Sequence, residues 1–213
     1  MDKPRVLLSL PHTGVIHSNT MAAVVQFMLP DKRVHLQVIR PSAVPFENNM
    51  NQVIKYFLEG DWDFWINLDS DQAPLKNPLD LVFLNKDVIG LPTPVAKFDQ
   101  PGWKYPFYWS VYQWDKERDS YVAYQHQAEK GPLQEVDAVG SGCWVVARRV
   151  LESLKHPLEQ AWDEYGILKL GGDVSFCRKA RSQGFKVFAH YNYICRHFKT
   201  IDLYEVMKLL SSQ

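Results

Sequence analysis

The stretch Asp63-Phe64-Trp65-Ile66-Asn67-Leu68-Asp69-Ser70-Asp71 constrains the fold more than any other part of the chain. Its first part is a nearly unbroken apolar run, which reads as a strand buried on both faces inside a parallel sheet. It ends in two carboxylates, and Ser70 with Gln72-Ala73-Pro74 reads as the turn out of the strand. If the backbone stays extended through Asp71, the side chains of Asp69 and Asp71 point to the same face. Open parallel sheets bind ligands outside the carboxyl ends of their strands, so two acids stand where a ligand lies. Close carboxylates raise each other's pKa unless a cation sits between them. A hard divalent ion with oxygen ligands resolves that conflict. Asp-x-Asp is also an ordinary surface-turn sequence. The buried strand in front of it is what favours a metal.

The residues before this stretch alternate between strand and helix patterns. Val6 to Leu10 reads as a buried strand closed by Pro11. Ser18-Asn19-Thr20 can cap a helix that runs from Met21 to Met28 and stops before Pro30. Val34 to Ile39 alternates as a second strand, closed by Arg40-Pro41. Met50, Val53, Ile54, Phe57 and Leu58 recur at helical spacing within 49–58, and Gly60 ends that helix. This β-α-β-α-β order predicts an α/β fold, a Rossmann-like doubly wound mixed sheet in a single domain spanning 1–213. Further on, Pro78 to Leu84 reads as a short helix and Asp87 to Leu91 as a strand. Residues 105–114 and 120–125 read as an antiparallel hairpin added at an edge or over the site, and 162–170 as loop or short helix. Gly171-Gly172-Asp173 opens a helix to Gln183, with Gly184 in the position just past its end. Residues 185–189 read as a final strand and 202–210 as a closing helix.

Charge and cysteine content narrow the function classes. Lys+Arg and Asp+Glu both number 24, so no global field attracts nucleic acid or anionic membrane. The three cysteines, Cys143, Cys177 and Cys195, form no C-x-x-C pair, which argues against a disulfide framework or a zinc site. That usage predicts a reducing, cytoplasmic setting. The apolar run after Arg5 is too short for a signal peptide, and no apolar run approaches transmembrane length, so no stable membrane insertion is expected.

Other constellations remain open on local grounds. Asp173 fits a helix N-cap, and equally a carboxylate aimed at substrate from a helix start. His197, beyond the last strand, fits a surface or core histidine. Gly140-Ser141-Gly142 lacks the third glycine and the context of a dinucleotide fingerprint, but suits a loop where backbone approaches a ligand. The aromatic stretch 102–109, with Trp103, fits a platform for a sugar or a base and equally a hairpin packed on the sheet. No Walker loop, HExxH or G-x-S-x-G is present.

Taken together these motifs resemble a small, family-2-like GT-A glycosyltransferase of bacterial or phage type. Asn51 through Asp71 is similar to the helix and strand that lead into the family's D-x-D motif, with Met50 where an Arg often stands. Residues 139–149 resemble its Gly-rich acceptor-side loop and following strand. Gly171-Gly172-Asp173 with the helix behind it resembles its Glu-Asp segment, with Gly172 in place of the Glu. His197 falls where many GT-A enzymes carry a late metal-ligating His. The resemblance implies a nucleotide-diphosphate sugar donor, such as a UDP-sugar, held by residues 1–95, with 96–213 as the acceptor side. It implies donor contacts from Pro11, His12, Thr13, Arg40, Asn51, Asp69, Ser70, Trp103, Gly140, Ser141 and Gly142. It also implies Mn²⁺ or Mg²⁺ on Asp69, Asp71 and His197, and Asp173 as the base of an inverting transfer. The acceptor stays open among glycan, protein and hydroxymethylated DNA base. The competing class is a nucleotide-sugar-binding or nucleotidyltransferase-type protein without glycosyl transfer. A nucleotidyltransferase usually carries a Gly-rich, basic loop after its first strand, which Pro11-His12-Thr13-Gly14 lacks.

Overall fold

The computed structural model describes residues 2–42, 44–96 and 107–199. Trp103 and the expected closing helix at 202–210 lie outside the described residues. The first half of the chain runs β1 (Arg5–Ser9), α1 (Ser18–Ala23), a π-helical turn (Val24–Met28), β2 (His35–Ile39), α2 (Phe46–Glu59) and β3 (Phe64–Leu68). Then come β4 (Gln72–Pro74), a 3₁₀ helix (Pro78–Leu84), β5 (Val88–Gly90) and β6 (Pro94–Ala96). Past residue 106 the order is β7 (Phe107–Trp109), β8 (Val111–Asp115), β9 (Ser120–Ala123), β10 (Leu133–Val136), β11 (Ala138–Val139) and β12 (Cys143–Ala147). The chain continues as α3 (Arg148–Ser153), β13 (Ala161–Trp162), β14 (Leu168–Leu170), α4 (Gly172–Ser182), β15 (Val187–His190) and β16 (Cys195–His197).

A seven-stranded mixed sheet, in the order β10-β15-β5-β12-β3-β1-β2, carries the architecture. β1 lies between β2 and β3, parallel to both, and β15 is parallel to β5. β12 is antiparallel to both of its neighbours, β3 and β5. That reversal positions the site. Cys143 opens β12 opposite Leu68, the last residue of β3. The loop that precedes β12 therefore emerges at the same edge as the loops that follow β1 and β3. The hairpin expected beyond residue 105 forms from β8 and β9, and β11 adds to it as a third strand.

The two faces of the sheet bury separate apolar clusters. Leu7, Trp65, Trp144 and Val146 face α2 and α4, meeting Met50, Val53, Phe57 and Phe176. Val6, Leu8, Ile66 and Val145 face the other way, toward Val24, Met28 and the 3₁₀ helix. Alternation of side chains along each strand divides a continuous apolar run between the two layers. This is why 64–68 carries no polar face. On the α2 side, Trp144 packs edge-on to Trp65 with ring centroids 5.6 Å apart, and tilted against Phe176 at 4.8 Å.

Several local expectations are corrected. His17, not Ser18, caps α1: its ring nitrogen accepts from Asn19 N–H at 3.2 Å. Gly171 is the N-cap of α4, so Asp173 lies in the first turn and is not the cap. Residues 162–170 are part of a small hairpin, β13–β14, rather than loop or short helix. The backbone does not stay extended through Asp71. Gln72 N–H donates to Asp69 C=O at 3.1 Å and closes a turn there. Among the described residues, no helix is long and apolar enough to cross a membrane. All three cysteines are free and buried.

The layered arrangement makes a direct forecast. Ile66 is fully buried in one of the sheet's central strands. Ile66→Ala should lower unfolding stability by about 2–5 kcal/mol, the cost of a core cavity. Urea unfolding followed by circular dichroism measures it, and a loss below about 1 kcal/mol would contradict the two-layer core.

Candidate active site

A cleft of about 480 Å³ opens at the sheet edge where β1 and β3 end. Pro11, His12 and Thr13 line it after β1, and Asp69, Ser70 and Asp71 line it after β3. Gly140, Ser141 and Gly142, ahead of β12, form a further wall, and Asp173 and His197 also face in. The acid-bearing loop is held from both sides. Ser70 C=O accepts from His17 N–H at 2.7 Å and from Thr20 Oγ1 at 3.1 Å. Phe198 N–H donates to Asp71 C=O at 2.8 Å, and the His17 and Phe198 rings stack at 4.0 Å. β16 pairs with β4, which sets His197 opposite Gln72, the residue after Asp71.

The two aspartates of the loop differ electrostatically. Burial raises the Asp69 carboxyl to about 6, a hydrogen bond from Asn67 opposes the rise, and the charges of Asp71 and Asp173 add to it. Burial also pushes Asp71 up, but His197 and Lys199 outweigh it and hold that carboxyl at about 2. Lys199 pairs with the Asp71 carboxylate, and His197 Nε2 stands 3.5 Å from the same oxygen. That separation is long for a hydrogen bond, and the contact becomes an ion pair when the imidazole is protonated. Asp71 in turn raises the pKa of His197, against the effect of burial, and the Pro94 carbonyl assists. Asp173 is raised chiefly by burial. Its Oδ1 accepts from Val174 N–H at 2.8 Å in the first turn of α4.

Close packing explains one glycine of the loop. A Cβ on Gly142 would fall 1.8 Å from Gln72 Nε2, so the Gln72 amide lies directly on the bare backbone. Thr93 Oγ1 fixes that amide from the other end, donating to Oε1 at 3.0 Å. Asn67 ties the loops together. Its Nδ2 donates to Asp69 Oδ1 at 2.9 Å and to Ser141 C=O at 2.8 Å. Its Oδ1 accepts from Ser9 Oγ at 2.9 Å, and Ser9 Oγ accepts from Trp65 Nε1 at 2.9 Å.

Two residues expected at the donor are elsewhere. Asn51 is spent on the chain at 158: its Nδ2 donates to Leu158 C=O at 2.7 Å and its Oδ1 accepts from Leu158 N–H at 3.1 Å. Arg40 is exposed and does not line the cleft. Asn67, Gln72, Thr93 and Lys199 were not singled out from the sequence. Asn67 had a visible signal, a lone amide inside a run of buried apolar residues. Glu47 had none. It reaches from the first turn of α2 to the bare backbone of Gly172, where a Cβ would meet Glu47 Cγ at 3.0 Å and Oε1 at 3.2 Å. The position where the resembled family carries Glu is thus crowded by a carboxylate from another helix.

Among the described residues, no three of His, Cys, Asp or Glu converge as a ready-made metal cage. The donor chemistry nevertheless fits a divalent ion held by few protein ligands. His197 Nδ1 lies 2.9 Å from Pro94 C=O, the partner that sets its tautomer and turns Nε2 toward Asp71. The Asp71 carboxylate already carries a cation, the Lys199 ammonium. One carboxylate, one imidazole and ligand oxygens suit manganese or magnesium bound to phosphates.

No protein-family profile and no curated protein matches the chain. Solved structures do. A197 from STIV superposes with a TM-score of 0.61 at 19% identity, covering 92% of this chain and 86% of that one. GalNAc-T7, solved with UDP, GalNAc and Mn²⁺, superposes with a TM-score of 0.59 at 11% identity. That match covers 94% of this chain but only 44% of GalNAc-T7. The shared property is the fold, which is GT-A-like.

The half-buried Asp69 gives a pH-dependent signature in chelator-treated protein. Its pKa rises on folding from an ordinary 3.8 to about 6. The folded state therefore binds more protons than the unfolded state between these values, and stability is lost as pH rises through them. Full ionisation costs about 3 kcal/mol above pH 6. Asp69→Asn should be the more stable protein at pH 7, by up to about that amount, with the advantage gone below about pH 4. Melting curves from pH 3 to 8 read it. A constant difference across that range would show that Asp69 is not the titrating group.

Proposed function

We propose that the protein transfers a glycosyl group from a nucleotide-diphosphate sugar to an acceptor hydroxyl. The observation that carries this reading is the convergence of Asp69, Asp71, Asp173 and His197 on one cleft at the strand ends of a GT-A-like fold. The binding of UDP and Mn²⁺ in GalNAc-T7 supports the same use of the fold.

In this reading residues 1–95 hold the donor and 96–213 the acceptor, within one domain. Pro11, His12 and Thr13 flank the nucleoside, and the backbone of Gly140-Ser141-Gly142 stands against the transferred sugar. Asp71 and His197 hold the divalent ion, manganese or magnesium, with Asp69 behind them. When bound, that ion offsets the charge that develops on the departing diphosphate. Lys199 lies beside the same phosphates and adds a second positive charge. Asp173 takes the proton from the attacking hydroxyl, and the reaction inverts the sugar's configuration. Burial suits it to that task, because a carboxylate with a raised pKa holds an abstracted proton better.

Two variants test the roles separately. Asp71→Ala should abolish the Mn²⁺-dependent part of UDP binding with the fold intact, read by calorimetry with and without metal. Equal affinities of wild type and variant in both conditions would remove Asp71 from the metal site. Asp173→Asn keeps an oxygen that accepts from Val174 N–H and removes a charge that burial disfavours, so its melting point should not fall below that of wild type. An amide cannot take a proton, so turnover should fall about 10²–10⁴-fold while donor binding persists. Near-normal turnover would leave the inverting mechanism without its base.

A further inference from the structure

The β13–β14 hairpin puts large apolar side chains in solvent immediately before Asp173. Trp162 is 56% exposed, Tyr165 81%, Ile167 63% and Leu168 46%. The turn that displays them is built, not loose. Asp163 Oδ1 accepts from Tyr165 N–H at 2.9 Å and from Ile167 N–H at 2.8 Å. Asp163 N–H donates to Ile167 C=O at 2.9 Å, and Gly166 takes the left-handed φ of +76° that the turn requires.

The hairpin is held by α2 on one side and runs straight into α4 on the other. On the entering side, α2 grips the chain twice. Asn51 makes its paired bonds to the Leu158 backbone, and Glu47 Oε1 accepts from Gln160 Nε2 at 2.7 Å. On the leaving side, Leu170 pairs with Ala161 and is three residues from Asp173. Three residues span at most about 11 Å. The base of the hairpin at Leu170 is thus a short chain step from Asp173, which lines the cleft.

Its chemistry selects an occupant. Aromatic rings with electron-rich faces stack on the apolar C–H face of a sugar ring, and rigid Trp and Tyr do so at low entropic cost. The charged side chains on the hairpin are Asp163, Glu164 and Lys169, which offer no basic patch for phosphodiesters or anionic lipid. Carboxylates and exposed backbone groups in turn accept hydrogen bonds from sugar hydroxyls. We infer that the acceptor is an uncharged glycan. Its reacting hydroxyl lies at Asp173 and its further rings lie on Trp162 and Tyr165. This rests on the transfer reading above and names the acceptor class for the same site.

The test uses the full chain and binding, with no need for turnover. Wild type, a Trp162→Ala/Tyr165→Ala double variant and a Trp162→Phe/Tyr165→Phe double variant are titrated by NMR and calorimetry. The probes are neutral malto-, cello-, manno- and chito-oligosaccharides, a DNA duplex and phosphatidylglycerol vesicles. The expected result is that wild type and the Phe variant bind at least one oligosaccharide series, and that the Ala variant binds it at least about tenfold more weakly. UDP–Mn²⁺ binding is unchanged in all three. No oligosaccharide binding by wild type, equal binding by the Ala variant, or DNA or vesicle binding that depends on these rings overturns the inference. Absence of UDP–Mn²⁺ binding by wild type, with oligosaccharide binding intact, would overturn the donor reading instead.

Discussion

The cleft depends on one buried amide. Asn67 sits inside β3, fully excluded from solvent, and every polar atom of its side chain is used. Burying an amide without partners costs about 1–3 kcal/mol for each unmet group. Here the partners are the things the site must hold in register: Ser9 at the end of β1, Asp69 beyond β3, and the Ser141 carbonyl ahead of β12. An apolar residue of the same size would suit the sheet equally well. It would release the three loops from one another.

That coupling matters because the loops come to a common edge through strands of mixed direction. Parallel β1 and β3 deliver the segments that follow them, and antiparallel β12 delivers the segment that precedes it. Two acids then share a loop with opposite electrostatic settings. Burial strains the charge of Asp69, whereas His197 and Lys199 welcome that of Asp71. The same low-polarity surroundings that raise Asp69 raise Asp173. Burial thus disfavours the charged forms of Asp69 and Asp173, and a cation placed between the carboxylates would favour them.

The parts of this arrangement that were legible in the sequence are those written in local periodicity. The buried strand at 64–68 and the helix over 49–58 follow from apolar spacing, and a turn does follow Leu68, but Gln72-Ala73-Pro74, expected as part of that turn, is strand β4 because it pairs with β16. The placement of Asp69 and Asp71 at a strand's carboxyl end follows from the apolar spacing as well. The direction of β12 was not legible, because a buried run such as Cys143–Ala147 reads identically in parallel and antiparallel pairing. Asn51 was misassigned to the donor, and Glu47 missed, for a related reason. Both are set by contacts with residues more than 100 positions away, and a polar residue on a helix carries no mark of its partner. The β13–β14 hairpin escaped because its strands are too short to show alternation, and a side chain, Asp163, makes its turn. The family resemblance implied Arg40 at the donor, yet β2 is the last strand on its side of the sheet and Arg40 is exposed.

The stacking of His17 on Phe198, and the strand pairing beside it, closes the chain almost end to end. Lys199 and Asp71 meet across 128 positions. Such a junction contributes little until the sheet between has formed, since the entropy of closing so long a loop must be met first. In order of assembly the acid-bearing loop therefore belongs to the last stage. A nascent chain carries its core strands well before it carries Lys199, the residue that pairs with Asp71.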